Sequence, residues 1–509
     1  MKDTTPDLVG QMFMVDFTGF QPITEVERLI ADEGVGGVIL FDKNISEPRQ
    51  VATLTNTLQE IARAAGRPPI LISVDQEGGP VARLRMGATH FPSAMAFGGA
   101  RSEALAASAA GITARELRAL GLHMNMAPVL DVNNNPANPV IGVRSYGEDP
   151  ALVARLGTAA IRAMQASGVL ATAKHFPGHG DTSQDSHVSL PTVPHARPRL
   201  DAVELAPFRA AIRAGVGAIL TAHVVFSALD PDQPASLSPT VMALLRDQLG
   251  FSGIVVTDSM AMRAISDRLP PGEAAVRAVH AGTDLVLACG PLDAQREALE
   301  AVRRAVSAGR VPADRVAASA ERVLGVKRRL GLIDRAIVSV DEVETRVGLP
   351  AHLAVADHVA DAAATLVRDP RHIIPLAPTR ISVAGWDGDT KTAEGLVRAL
   401  RGVGRDAEVV PVDRLEALGA GAALVVPINT GPGPAGAEAR ARIQSVVRAA
   451  LSRGPVVAIA TGAPYVLASV PEEAACLAVY GADPASLGAA ARILAGTVQP
   501  RGSLPVTLP

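Results

Sequence analysis

A (β/α)8 barrel of the TIM type, followed by a smaller open-sheet α/β domain, is the architecture this sequence predicts. Three observations lead there. Eight apolar runs of strand length, with amphipathic stretches between them, occupy residues 1–332, which is the pattern of βα units. Several of these runs end in clusters of Asp, His, Arg and Gly, as strands do around one barrel mouth. A second, shorter alternation occupies residues 351–509. An open doubly wound sheet competes for the first segment; the number of strands ending in polar motifs favours the barrel.

The strands are expected at Gln11–Phe17, Gly34–Phe41, Pro69–Val74, His123–Val132, Val169–Ala173, Gly217–Val225, Gly253–Thr257 and Thr283–Ala288. Between them, Glu47–Ala65, Ser102–Leu120 and Ala151–Ser167 repeat apolar residues at helical spacing. Arg315–Leu330 reads as one more helix, with Asp314 placed to cap its start. Residues 333–350 mix charges with little periodicity, end in Gly348-Leu349-Pro350, and form the expected linker. In the second domain the expected strands are Arg380–Ala384, Ala407–Val412, Ala423–Ile428, Val456–Thr461 and Cys476–Tyr480, with helices Lys391–Arg401 and Ala437–Ser452 between them.

Composition narrows the function. The 509 residues are 48% hydrophobic and only 3% aromatic, so Ala, Val, Leu and Ile must fill the cores. A net charge of -3 supplies no basic field, so nucleic acid is not expected as a partner. Met1–Pro6 leads into no apolar signal region, Gln11–Phe17 is too short for an anchor, and no run of apolar residues is long enough to span a membrane. Cys289 and Cys476 are the only cysteines, which rules out a disulfide framework and points to a reducing, cytoplasmic setting. A soluble protein with no membrane partner is expected.

The fifth strand empties into Lys174-His175-Phe176-Pro177-Gly178-His179-Gly180-Asp181-Thr182-Ser183-Gln184-Asp185-Ser186-His187. Pro177, Gly178 and Gly180 stop any helix, so three histidines, two aspartates and a lysine share one strand and its exit loop. Asp185 and His187, at i and i+2 on an extended loop, project to one side. A carboxylate beside an imidazole fixes its tautomer and makes it a proton donor near neutral pH. A merely hydrogen-bonded loop histidine is the plainer reading of that pair. The seventh strand ends in Asp258-Ser259-Met260. A carboxylate at a buried strand tip suits attack on a sugar anomeric carbon, although an Asp there also caps the following helix in many proteins. Asp75-Gln76-Glu77-Gly78-Gly79 with Arg83 follows strand three, Arg144 lies beyond strand four, and His223 lies in strand six. Zinc ligation by His175, His179, Asp181 and His187 is disfavoured, because His-x-x-x-His across Pro-Gly lacks helical spacing. No metal and no cofactor is expected. Gly431-Pro432-Gly433-Pro434-Ala435-Gly436 matches G-x-G-x-x-G, but its prolines lack the N–H groups a pyrophosphate needs, so it reads as a turn.

Taken together, Lys174-His175-x-Pro177-Gly178-His179-Gly180 with Asp185-Ser186-His187, Asp75-Gln76-Glu77-Gly78-Gly79 and Thr257-Asp258-Ser259-Met260 resemble glycoside hydrolase family 3, in particular its β-N-acetylglucosaminidase branch. The resemblance spans most of residues 1–330; the second domain, ending in Gly502-Ser503-Leu504-Pro505, is similar less specifically. It implies a retaining mechanism on a small carbohydrate substrate, with Asp258 as nucleophile and His187, paired with Asp185, as acid/base. Asp75, Arg83, Arg144, Lys174 and His175 would bind the sugar. His223 and Met260 would line the pocket, and His179 and Asp181 would shape the loop. A β-N-acetylglucosaminide phosphorylase stays open, because a histidine acid/base does not repel phosphate as a carboxylate would. A β-glucosidase of the same family is a further alternative.

Overall fold

The computed structural model describes residues 8–377, 379–385, 390–412, 422–430 and 434–509. Met1–Pro6 and Gly431–Gly433 of the glycine-rich turn lie outside them. Eight parallel strands follow one another around a ring: β1 (Phe13–Val15), β2 (Gly37–Leu40), β3 (Leu71–Val74), β4 (Met124–Asn125), β5 (Leu170–Phe176), β6 (Ala218–Thr221), β7 (Ile254–Thr257) and β8 (Val286–Ala288). Met14 of β1 faces Gly37 on one side and Leu287 on the other. The ring closes where Val256 bridges Leu285 and the Thr257 N–H donates to Leu285 O at 3.1 Å. Each expected barrel strand is present.

Alternate residues of these strands point inward and fill the barrel. Met14, Ile39, Leu71, Leu170, Leu220 and Val256 belong to one buried cluster. Lys327, fully buried, donates to Gln11 Oε1 at 2.8 Å. Burial pushes its ammonium down to about 7.

Two expected strands are interrupted within their apolar runs. His123–Val132 contributes only Met124–Asn125, because Pro128 has no N–H for the ladder. The run still tracks β5, with the Leu130 N–H donating to Lys174 O at 2.7 Å. Gly217–Val225 splits after Thr221; Val225–Phe226 joins a separate small sheet with Thr192–Val193 and Asp230–Pro234.

The outer helices α1 (Pro48–Ala64), α3 (Glu103–Ala119) and α4 (Pro150–Ala166) bury one apolar face each, whereas α2 (Ala94–Ala100) is buried on every side. Ser102 Oγ accepts from the Leu105 N–H at 3.3 Å and starts α3. Asp149 Oδ1 accepts from the Ala151 N–H at 2.9 Å and starts α4, with Pro150 in the first turn. Helix α5 (Ala313–Arg329) corrects one expectation. Pro312 holds the cap position, and Asp314 sits inside the first turn, where its charge still favours the helix dipole. Pro350 opens α6 (Pro350–Ala363).

The second sheet has the order β9 (Thr365–Arg368), β14 (Ala475–Ala478), β13 (Val456–Ala460), β12 (Ala423–Ile428), β10 (Ile381–Gly385), β11 (Ala407–Pro411). All pairings are parallel except β9 with β14. Five strands follow the sequence pattern. Strand β9 does not announce itself, being four residues directly after α6, with a pairing made to a partner more than a hundred residues away.

The second sheet's domain packs on the barrel through α2. A Cβ on Gly98 would lie 1.7 Å from Tyr146 O, and one on Gly99 would lie 2.9 Å from the Tyr480 ring. Ser93 Oγ donates to Tyr480 O at 2.8 Å, and Asn133 Nδ2 donates to Tyr465 Oη at 2.8 Å. These contacts place the second domain beside the C-terminal mouth of the barrel.

Candidate active site

The strand ends converge on an ion-paired floor. Lys174, at the inward end of β5, donates to Asp75 Oδ1 at 2.7 Å and pairs with Glu77 Oε1 at 2.6 Å. Arg144 grips the same Glu77 with both branches, Nε to Oε2 at 2.9 Å and Nη2 to Oε1 at 2.8 Å. Arg83 pairs with Asp42 at 2.9 Å and reaches Asp75 at 4.0 Å. Burial alone would raise the Glu77 carboxyl, but Arg144 and Lys174 outweigh it and hold it well below the usual range. Lys174 is raised in turn: burial opposes its charge, and Asp75 and Glu77 overcome that.

Asp131, fully buried beyond β4, organises the exit of β5. Its Oδ2 meets His175 Nδ1 at 2.6 Å, and its Oδ1 accepts from the backbone N–H groups of His175 at 3.1 Å and His179 at 2.7 Å. With Nδ1 occupied, His175 turns Nε2 toward Arg144, at 3.5 Å. Gly180 lets the loop lie this close, since a Cβ there would sit 1.8 Å from Val132 O.

Asp258 follows β7. Its N–H donates to Thr221 O at 3.2 Å, and its Oδ1 accepts from the Ser259 N–H at 2.8 Å. Burial raises its pKa, but His175, His223, the Ser259 N–H and Lys174 together pull it below the normal carboxylate value. The carboxylate is therefore ionised and available. His223 is buried, joined to Ser236 Oγ at 2.7 Å and to Ser259 O at 3.0 Å. Burial, its largest cause, lowers its pKa. Met260 is half-buried and packs on the core beneath the loop, among Ile265 and its neighbours.

Asp185 and His187 form the pair that the i, i+2 spacing predicts: Nδ1 meets Asp185 Oδ1 at 2.7 Å. The His187 side chain is 60% exposed, in contrast to the buried floor. With Nδ1 engaged, Nε2 is the nitrogen left for proton transfer. The loop interior is tied separately. His179 contacts Thr182 Oγ1 at 2.8 Å and Ser186 Oγ at 3.0 Å, and Asp181 contacts His195 at 2.7 Å. Among the described residues, Asp181, His195 and Glu204 bring ligand-type atoms together, but Arg199 already lies 3.6 Å from Asp181 and 3.1 Å from Glu204.

A cleft of about 1060 Å³ opens between the barrel mouth and the second domain. Arg144, Asp185 and His187 line one side, and Thr461, Tyr465 and Asp483 line the other. Motif reading gives no role to Glu77, Asp131 or the second-domain wall. Two signals were present: Glu77 stands at i+2 from Asp75, and Asp131 ends an apolar run as Asp258 does.

Residues 4–326 match the glycosyl hydrolase family 3 N-terminal domain. The chain belongs to glycosyl hydrolase family 3. The whole architecture is shared with a family 3 β-N-acetylglucosaminidase from Paenibacillus sp., at a TM-score of 0.92 and 39% identity, covering 99% of both chains. Beta-hexosaminidase A of Pseudoalteromonas piscicida is 35% identical over 410 residues, 72% of this chain and 67% of that protein. A beta-hexosaminidase of Stenotrophomonas maltophilia is 39% identical over 300 residues, 57% of this chain and 87% of that one. This family 3 protein is thus a glycoside hydrolase. No helix among its described residues is long and apolar enough to cross a membrane.

Proposed function

We propose that the protein is a retaining exo-β-N-acetylglucosaminidase, with a barrel of residues 1–332, a linker at 333–350 and a second domain at 351–509. The carrying observation is that an ionised, half-buried Asp258 ends β7 while the Asp185–His187 dyad, its imidazole exposed, stands on the loop that leaves β5 at the same barrel mouth. The terminal sugar sits on the floor of Asp75, Lys174, Arg144, Arg83 and His175, where charged donors and acceptors bind its hydroxyls. Asp258 attacks the anomeric carbon, and the bond to the leaving oxygen breaks as His187 Nε2–H protonates it. The glycosyl ester is then opened by water, whose proton returns to His187 Nε2. Asp185 holds the ring and stabilises its cationic form. His223 keeps the loop behind Asp258 in place through Ser259 O, and Met260 supports it from below.

The N-acetylglucosaminide preference is supported by the names of the similar proteins and by the Asp185-Ser186-His187 motif. The cleft has room for an aglycone, such as the remainder of a peptidoglycan fragment or chitooligosaccharide. The two cysteines, unpaired, suit a cytoplasmic setting. The test is product analysis with a nitrophenyl β-N-acetylglucosaminide, with and without millimolar phosphate. Free N-acetylglucosamine is expected in both. Sugar 1-phosphate as the main product would replace the hydrolase with a phosphorylase, and preference for the glucoside would overturn the substrate.

A further inference from the structure

The dyad sits on an exposed loop, yet the residue between its two members is buried. Ser186 is 2% exposed, while the His187 side chain is 60% exposed. The Ser186 hydroxyl meets His179 Nε2 at 3.0 Å, and its carbonyl accepts from the Ala264 N–H at 3.4 Å, beyond the nucleophile.

One proton assignment satisfies all of these groups. In it the Thr182 hydroxyl donates to His179 O at 3.2 Å, and its oxygen accepts from His179 Nδ1–H at 2.8 Å and from Asn138 Nδ2 at 3.3 Å. Nε2 of the neutral ring is then a lone pair, and Ser186 donates to it. Burial, followed by the nearby His175, pushes the His179 ring down to about 4. The ring therefore stays neutral, and the tautomer stays fixed, while His187 gains and loses its proton.

We propose that His179 is a positioning residue for catalysis: by accepting the Ser186 hydroxyl it sets where Asp185 and His187 stand relative to Asp258. This rests on the reading of His187 as acid/base. The link continues inward, because Asp131 Oδ1 holds the His179 N–H while its Oδ2 holds His175. One carboxylate thus aligns a floor residue and the dyad's loop. The turn itself does not need the His179 side chain. Asn138 Nδ2 donates to His179 O and Gly180 O, both at 2.9 Å, and Asp181 binds His195. Replacing the ring frees the dyad while the turn persists.

The test measures kcat/KM for Ser186→Ala, His179→Ala, His179→Gln and the double alanine variant on a nitrophenyl and an alkyl β-N-acetylglucosaminide. Ser186→Ala and His179→Ala are expected to lose about tenfold on the alkyl substrate, the worth of one well-placed hydrogen bond, and under about twofold on the activated one. The double variant should be no worse than His179→Ala, because the two act as one unit. His179→Gln, which returns an acceptor near Nε2, should recover most of the loss. Equal losses on both substrates, additive losses, or wild-type rates in Ser186→Ala would overturn the proposal. His187→Ala is measured alongside. If it shows no leaving-group dependence, the acid/base assignment itself has failed; if it does and Ser186→Ala does not, only the positioning role falls.

Discussion

Glu77→Gln probes the floor of the site without changing its volume. Glu77 receives three charged hydrogen bonds, one from Lys174 and two from Arg144, and its side chain is 4% exposed. The amide keeps one oxygen, so one arm of the Arg144 grip is lost and an N–H then faces a guanidinium N–H. Removing one member of a buried ion pair costs about 3–5 kcal/mol, because the surviving charges stay desolvated. Asp75 still neutralises Lys174, which places the expected loss of stability at the lower end, about 3 kcal/mol. Arg144 and Lys174 also lose their fixed direction toward the sugar. One misaligned charged hydrogen bond, worth about 1.5–3 kcal/mol, corresponds to roughly 10- to 150-fold in kcat/KM. Urea denaturation reads the first effect, and kinetics on aryl and alkyl N-acetylglucosaminides read the second. The kinetic loss should be the same for both leaving groups, since Glu77 binds the floor and not the scissile oxygen. An unchanged denaturation midpoint with wild-type kinetics, or a loss confined to poor leaving groups, would refute the reasoning.

Asp258→Asn should remove turnover by several orders of magnitude with the circular dichroism and melting curve retained, and a 2-fluoro-type glycosyl inactivator should label Asp258 in the wild type; a label mapped to another residue reassigns the nucleophile. His187→Ala should slow alkyl glycosides by about 10²–10⁴ and activated aryl glycosides far less, with Asp185→Ala a weaker copy; uniform loss across leaving groups would make His187 a sugar-binding residue. Lys327→Met should stabilise the fold, and more at pH 6 than at pH 9. Burial depresses the Lys327 pKa to about 7, so between there and the unfolded value near 10.4 the unfolded chain binds the extra proton and stability rises with pH. Below that window the buried charge carries its full cost, which methionine removes. A gain that is flat with pH, read by denaturant titration, would show that Lys327 is charged in the fold.

The motif from Lys174 to His187 was legible because its chemistry is local. Pro177, Gly178 and Gly180 end the strand, and the Asp185–His187 contact at 2.7 Å is one that neighbours at i and i+2 can make without help from the fold. Asp258 was legible as a carboxylate ending a β-branched run. The eight barrel strands were legible because buried strands must be apolar along their length. The exceptions have backbone causes: Pro128 cuts β4 short, and Pro312, ahead of Asp314, takes the cap of α5.

The sequence by itself determined the order of βα units, the loops that bear titratable groups, and the nucleophile and dyad as candidates. Only the tertiary structure decided what holds them. Glu77 meets Arg144 across 67 residues, Asp131 meets His175 across 44, and Asn133 meets Tyr465 across 332. Periodicity reports whether a residue is buried, not which distant residue shares its burial. That is set by barrel closure, which brings the C-terminal ends of all eight strands within reach of one another, and by the docking of α2 that turns the second sheet into the cleft's far wall.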